Sequence, residues 1–443
     1  MNSPAVSPAR RREVIDALRR GTVPQAGLDL FAVGMDRFEL AIEDELAAVA
    51  AGGAMFKAVR GEYGSGKTFF IRWLAERAKR RGFAVTEIQI SETETPLHRL
   101  EAVYRRLIER LATSSHSPSA LRDVIDGWFY TLEEDVLAAG ETDPDDSAAL
   151  ADATGELMER RLAAVARTTP TFAAVLRAYR QAVLAGDTAG AEGLIAWLGG
   201  QPNVAASVKR AAGIKGDLDH FGALGFLQGL LTVLRDSGHS GLLVAVDETE
   251  TLQRVRGDVR EKGLNALRQL IDEIDGGRFP GLYLMITGTP AFYDGPQGVQ
   301  RLAPLAQRLA TDFGDRRFDN PRAVQIRLTG FDLDKLVTLG RSVRDLFAAG
   351  QPAGDRVLTV VDDVYVGELA QAVTGGLGGQ AGIAPRVFLR KLVEQVLDRV
   401  DQFDDFDPRK HYTLTLSASE LTDIERNAWR QQAADPDDVD LDL

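Results

Sequence analysis

The chain has 443 residues, 44% hydrophobic and 26% charged, a balance that suits a globular protein of about three domains. Zero cysteines exclude disulfides and thiolate metal sites, and five scattered histidines (His98, His116, His220, His239 and His411) form no ligand-spaced cluster. A net charge of −13 excludes a protein that coats nucleic acid with its whole surface and permits DNA contact only through a local basic face. No apolar run approaches the ~20 residues that cross a bilayer, so no membrane partner is expected.

In chain order, residues 1 to 9 are rich in Ser, Pro and Ala and read as loose. Arg10 to Arg20 reads as a helix with Val14, Ile15 and Leu18 on one side, stopped by Gly21. Its arginines read as a solvated face, phosphate contact being the rarer use of such a run. They lead into no apolar secretory segment, so a cytoplasmic location is expected. From Met35 to Ala51, Phe38, Ile42 and Leu46 recur every four residues, which marks a second helix.

Ala54 to Val59 is a short apolar run that reads as a buried strand, and a helical segment begins at Phe69 and runs to Arg81. Between them stands Gly61-Glu62-Tyr63-Gly64-Ser65-Gly66-Lys67-Thr68, a complete G-x-x-x-x-G-K-[ST] loop in the strand, loop, helix setting that its chemistry requires. The glycines let successive N–H groups turn toward one anion, and the helix N-terminus adds partial positive charge. Gly61 through Thr68, with Phe69 behind them, are therefore the candidate residues for binding a nucleoside triphosphate. Lys67 is expected on the β- and γ-phosphates and the Thr68 hydroxyl on Mg²⁺, the only metal expected. With this loop downstream, Leu30 to Arg37 reads either as a contact to the adenine base or as plain packing.

Phe83 to Ile90 reads as a second strand and Leu97 to Leu111 as a helix. Residues 112–220 are Ala-rich and helical, with loops at Gly140 to Asp146 and Gly199 to Asn203, and with Trp128, Phe129, Phe172 and Trp197 supplying core for a separate helical subdomain. They read as an insertion, because the next acidic motif, Asp247, lies 179 residues after Thr68. That motif ends the continuous apolar run Gly241 to Val246, a central parallel strand, and ligands collect at the carboxyl ends of such strands. Asp247 is expected on Mg²⁺ and Glu248 on the attacking water.

Leu264, Leu267, Leu270, Ile271 and Ile274 mark an amphipathic helix over Asp258 to Ile274, ended by Gly276 and Gly277. Gly281 to Ile286 is a further buried strand, closing with Thr287-Gly288-Thr289-Pro290, whose hydroxyls are candidate γ-phosphate sensors. A helical piece carrying Arg301 and Arg308 precedes the last strand, Ala323 to Leu328, and the exit turn Thr329 to Asp332. Helices fill Leu333 to Val400, broken at Gly375 to Gly382. Pro385 at a helix start puts Arg386 in an opening turn. Residues 410–430 read as a short strand and a helix, and Ala433 to Leu443, with five aspartates, as disorder or an acidic docking strip.

Taken together, these parts resemble the AAA+ class of ATPases, nearest its origin-recognition-like branch. More closely, the runs GEYGSGKTFF, ISETETPLHRLEAVYR, VDETETLQRVR and ITGTPAFYDGPQG resemble the BrxD family of ATP-binding proteins from BREX phage-resistance systems, over about Gly21 to Val400. The resemblance implies an α/β fold: a P-loop AAA+ parallel-sheet core with a large all-helical insertion and a C-terminal helical lid. The division is then 1–34 as lead-in, 35–111 and 221–330 as core, 112–220 as insertion, 331–430 as lid and 431–443 as acidic tail. It implies ATP and Mg²⁺ as cofactors and ATP hydrolysis beside a helicase or other defence protein, with self-association. Lys67, Thr68, Asp247 and Glu248 carry over directly. Thr289 or Thr287 carries over as the first sensor, where the class usually has asparagine, Arg386 as the second sensor, and Arg308 as the finger acting in a neighbouring subunit, with Arg316 and Arg317 as competitors. The other readings are an ATP-dependent switch or scaffold with little turnover, and a kinase, which the absence of a base motif for a substrate hydroxyl disfavours.

Overall fold

A strand buried on both faces must be largely apolar and must take its hydrogen bonds from neighbours on each side. The residues Leu242–Asp247 (β3) and Leu282–Gly288 (β4) meet that demand: every side chain in both strands is buried. In the computed structural model, which describes residues 6–116, 118–140, 142–349, 351–376 and 384–414, they stand in a five-stranded sheet with Met55–Arg60 (β1), Ala84–Gln89 (β2) and Gln325–Arg327 (β5). The order is β2-β3-β4-β1-β5. β2 pairs parallel with β3 from Ala84 opposite Leu242 to Gln89 opposite Asp247, and β3 pairs parallel with β4.

The helices, in chain order, are Pro8–Arg19 (α1), Asp36–Ala50 (α2), Lys67–Arg80 (α3), Leu100–Arg110 (α4), Leu121–Ala139 (α5), Ser147–Thr168 (α6), Pro170–Leu184 (α7), Thr188–Leu198 (α8), Ala206–Ala211 (α9) and His220–Asp236 (α10). Beyond β3 come Gly257–Asp275 (α11), Pro290–Asp294 (α12), Ala303–Arg308 (α13), Leu333–Ala348 (α14), Gly354–Val360 (α15), Asp363–Gly376 (α16) and Ala384–Arg390 (α17). A π-helical stretch, Lys391–Leu397, then leads into Asp398–Gln402 (α18), and Pro408–His411 (α19) is a single turn. Aspartates start several of these helices for a local reason. Asp146, Asp187, Asp219 and Asp332 each accept a first-turn N–H at the heads of α6, α8, α10 and α14. Among the described residues no helix is long and apolar enough to cross a membrane.

The chain divides into two compact units. One comprises Ala41–Ala58 and Arg77–Ile326. Its core joins the sheet to α4, α5, α7, α8, α10 and α11, and Trp128, Phe129, Phe172 and Trp197 belong to the same apolar cluster as Leu242, Val244 and Leu284. Within it lies an ionic group that the alternation of apolar residues hides. The Lys57 side chain, 1% exposed in β1, pairs with Glu45 Oε1 at 2.5 Å and donates to the Ala323 carbonyl at 2.9 Å. The Tyr283 hydroxyl donates to the other Glu45 oxygen at 2.5 Å, and burial, then the Glu45 charge, pushes that phenol well above its ordinary pKa. Removing one partner of a buried pair strands the other charge, so Glu45→Ala is expected to cost about 3–5 kcal/mol of stability, read from the urea midpoint. A loss below about 1 kcal/mol would show that water reaches Lys57.

The other unit comprises Met1–Leu40, Val59–Glu76 and Arg327–Leu443. There α1 packs against α14, α17 and the π-helical stretch. Arg19 makes a two-pronged ion pair with Asp398, at 2.6 and 2.8 Å, which keeps its guanidinium charged well beyond the ordinary arginine range.

The expected elements appear with ends shifted by a few residues: the last strand keeps only Gln325–Arg327, and α3 begins at Lys67 rather than Phe69. Of the 410–430 range expected to hold a short strand and a helix, residues 410 and 411 belong to the helical turn Pro408–His411, capped by the Asp407 carboxylate, and 415–430 lie outside the described residues. The expected helix of 410–430 lies largely, and the acidic tail 431–443 wholly, outside the described residues, as does most of the Gly375 to Gly382 break.

Candidate functional site

The loop between β1 and α3 is shaped by its glycines. Gly64 and Gly66 take φ of +76° and +93°, a region closed to most side chains, and a Cβ on Gly61 would lie 2.2 Å from Ser65 Oγ. The Ser65 N–H closes a turn on the Glu62 carbonyl at 3.1 Å, and Phe70 N–H on the Gly66 carbonyl at 2.8 Å starts the helix. Lys67 is buried, its ammonium donating to the Gly61 carbonyl at 2.9 Å and the Glu62 carbonyl at 3.3 Å and lying 5.1 Å over the Tyr63 ring. The Ser65 hydroxyl is buried without a hydrogen-bond partner among the described residues. An orphaned hydroxyl costs about 1–3 kcal/mol unless something fills its need. A phosphate oxygen in the loop would do so.

Two supports of this loop were not legible in the motif. Glu76, two turns into α3, accepts the N–H groups of Gly27 at 3.1 Å and Leu28 at 3.0 Å, and pairs with Arg10 at 2.5 Å. Phe31 packs edge-on against Phe69 at 5.4 Å. The segment leading into Leu30 to Arg37 is thus pinned to the phosphate-loop helix, and Arg37 ends on the Arg327 carbonyl. A glutamate on the polar face of a helix gives no sign in sequence that it holds backbone 48 residues away.

At the end of β3, Asp247 is buried and its Oδ1 accepts both the Thr287 hydroxyl and the Glu248 N–H, the latter at 3.0 Å. Thr249, fully buried, donates its hydroxyl to the Thr287 carbonyl at 2.6 Å. Glu248 between them adopts φ +56° and ψ +42°, a left-handed conformation that a non-glycine residue holds only when its surroundings enforce it. The three hydrogen bonds supply that enforcement. Two of them, from Thr287 and Glu248, also hold the Asp247 carboxylate. Thr249 is the residue that sequence reasoning passed over, although a threonine directly after an acidic strand end was visible.

Thr287 therefore spends its hydroxyl on Asp247, while Thr289 is buried at the head of α12. Arg308 pairs with Asp272, which also holds Arg268 at 2.6 Å, and donates to the Pro304 carbonyl at 2.7 Å. Arg316 and Arg317 lie on an exposed 3₁₀ turn, where Arg317 pairs with Asp315 at 2.5 Å. Arg386 is half-buried in the first turn of α17, where a Cβ on Gly21 would stand 3.7 Å from its Nη1. The structure thus assembles the loop residues 61–69 as one group and Asp247, Glu248 and Thr287 as another. Arg308 stands with Asp272, and Arg386 with Gly21.

Among curated proteins none matches the chain. The family described as "BREX system ATP-binding protein BrxC/D" matches residues 6–416, a span that takes in both groups. The chain therefore belongs to the BREX system ATP-binding protein BrxC/D family, whose members are ATP-binding proteins of a phage-defence system.

Proposed function

We propose that the chain hydrolyses ATP as an AAA+ protein and couples its nucleotide state to assembly with a DNA-processing partner such as a helicase. One observation carries the reading: Glu248 sits beside a buried aspartate in a backbone conformation that costs energy to hold. Binding alone needs a phosphate loop; a carboxylate carried on a backbone held in so unusual a conformation suits activation of a water. In this reading Lys67 neutralises charge on the β- and γ-phosphates and Glu248 takes a proton from the attacking water.

The loop residues present fit a nucleotide. The Ser65 hydroxyl, without a partner among the described residues, and the glycine-walled loop suit a triphosphate, and in this reading Thr68 and Asp247 are the proposed Mg²⁺ ligands. When bound, the ion neutralises charge on the phosphate oxygens during transfer. β1 lies inside the sheet with the loop at its carboxyl end, which supports an α/β nucleotide-binding core over 35–111 and 221–330. The helices of 112–220 are then an insertion that carries specificity, and 331–430 a lid that brings Arg386 to the nucleotide as second sensor. Thr289 is the first sensor, because Thr287 is engaged with Asp247. The reading places the protein in the cytoplasm and admits DNA only at a local basic face.

Arg308 is the proposed finger for a neighbouring subunit, and it would exchange Asp272 for a γ-phosphoryl oxygen. Such arginines are worth about 10³-fold or more in rate. Arg308→Ala is expected to keep ATP affinity and self-association, lose turnover, and regain part of it when mixed with Lys67→Ala protein. A strictly monomeric chain whose rate per protomer stays constant on dilution would rule out the finger.

A further inference from the structure

Arg180, on α7, is held in a way that its charge does not explain. The residue is 8% exposed, yet of the five N–H donors of its guanidinium only Nη2 is engaged, with the Ala151 carbonyl at 2.8 Å, and no ion pair forms among the described residues. Its carbon centre lies 6.0 Å from the Phe129 ring. Burial lowers its pKa from the ordinary arginine value, with the more distant Glu133 and Asp152 charges opposing. Buried arginines are ordinarily met by a carboxylate across two parallel hydrogen bonds. None is supplied here. The position is nevertheless built: on α6, Gly155 stands where a Cβ would lie 3.1 Å from Arg180 Nη1, and a glycine inside a 22-residue helix is otherwise a weakness.

Arg180 lines a cavity of about 210 Å³ between α5 and α7. Its apolar wall is Phe129, Tyr130, Val183 and Leu184, of which the last three are 62%, 51% and 61% exposed, large side chains left in water at one rim. Asp126 and Glu133 complete the lining, and Asp126 accepts the Tyr179 hydroxyl at 2.6 Å. A simple anion would meet two carboxylates as well as the arginine. A simple cation would leave the arginine as it is. A molecule carrying both charges on a small apolar body satisfies every group, and the volume, below the ~300 Å³ of ordinary ligand pockets, suits something smaller than a nucleotide. We propose that this cavity binds a small zwitterion with an apolar side chain, of the chemical class of the α-amino acids. The carboxylate pairs with Arg180, the ammonium with Asp126 and Glu133, and the side chain lies on Tyr130, Val183 and Leu184.

Calorimetric titration of the full chain with L-phenylalanine and L-leucine, against 3-phenylpropanoate and 2-phenylethylamine, tests this. At least one amino acid is expected to bind saturably, with each singly charged analogue of L-phenylalanine weaker than the amino acid by about tenfold or more. Arg180→Met should remove amino-acid binding and leave ATP affinity unchanged, with a melting temperature no lower than wild type, since a poorly paired buried charge is replaced by an apolar chain. Should that variant fail to fold, Leu184→Trp, which fills the cavity from its exposed rim, must remove binding instead. Absence of saturable binding by either amino acid, equal binding of 3-phenylpropanoate, or unchanged binding in a folded variant would overturn the assignment.

Discussion

Lys67→Ala is expected to abolish measurable ATP binding. The ammonium is buried in the loop and donates to the Gly61 and Glu62 carbonyls, the second of which also accepts the Ser65 N–H. A cation so placed exchanges carbonyls for phosphate oxygens at small cost, and hydrogen bonds from a charged group to phosphate contribute about 1.5–3 kcal/mol each. Losing two of them lowers affinity by about 10²-fold or more. Calorimetry with Mg²⁺-ATP on a variant of unchanged circular dichroism gives the answer, and affinity near wild type would remove the phosphate-loop assignment.

Glu248→Gln is expected to separate binding from turnover. Glutamine matches glutamate in shape, and the Asp247 and Thr249 hydrogen bonds that hold residue 248 in its left-handed conformation run through backbone and neighbours, not through its own carboxylate. ATP affinity should therefore stay within about threefold of wild type, while turnover falls by the about 10²–10⁴-fold that a positioned base contributes. A rate equal to wild type would assign water activation to a different residue.

The phosphate loop was fully legible because its geometry is local: eight consecutive residues carry the positive φ angles and the closing turn. The central strands were legible because burial on both faces leaves a nearly continuous apolar run, with the polar residues Asp247 and Thr287 at their carboxyl ends. What sequence did not disclose depends on residues brought together by the fold. Lys57 falls inside the apolar run Ala54 to Val59, its partner Glu45 lies in α2, and Tyr283 comes from a strand 226 residues later. Thr249 and Thr287 are joined across the β3–β4 boundary, a pairing that only the register fixes. Arg180 reads as an ordinary charged residue in an amphipathic helix. Strand and helix ends moved by a few residues for a simpler reason, that the last turn or ladder bond is decided by caps and neighbours more than by composition.

The central claim is hydrolysis, as distinct from binding that orders a partner surface. Phosphate release should be followed at saturating ATP for wild type, Lys67→Ala and Glu248→Gln, each with Mg²⁺ and with the ion chelated. The account predicts continuous, Mg²⁺-dependent release by wild type alone, with Glu248→Gln occupied by ATP yet silent. A wild-type chain that binds ATP but releases phosphate no faster than Lys67→Ala, under every condition including added DNA, would contradict it.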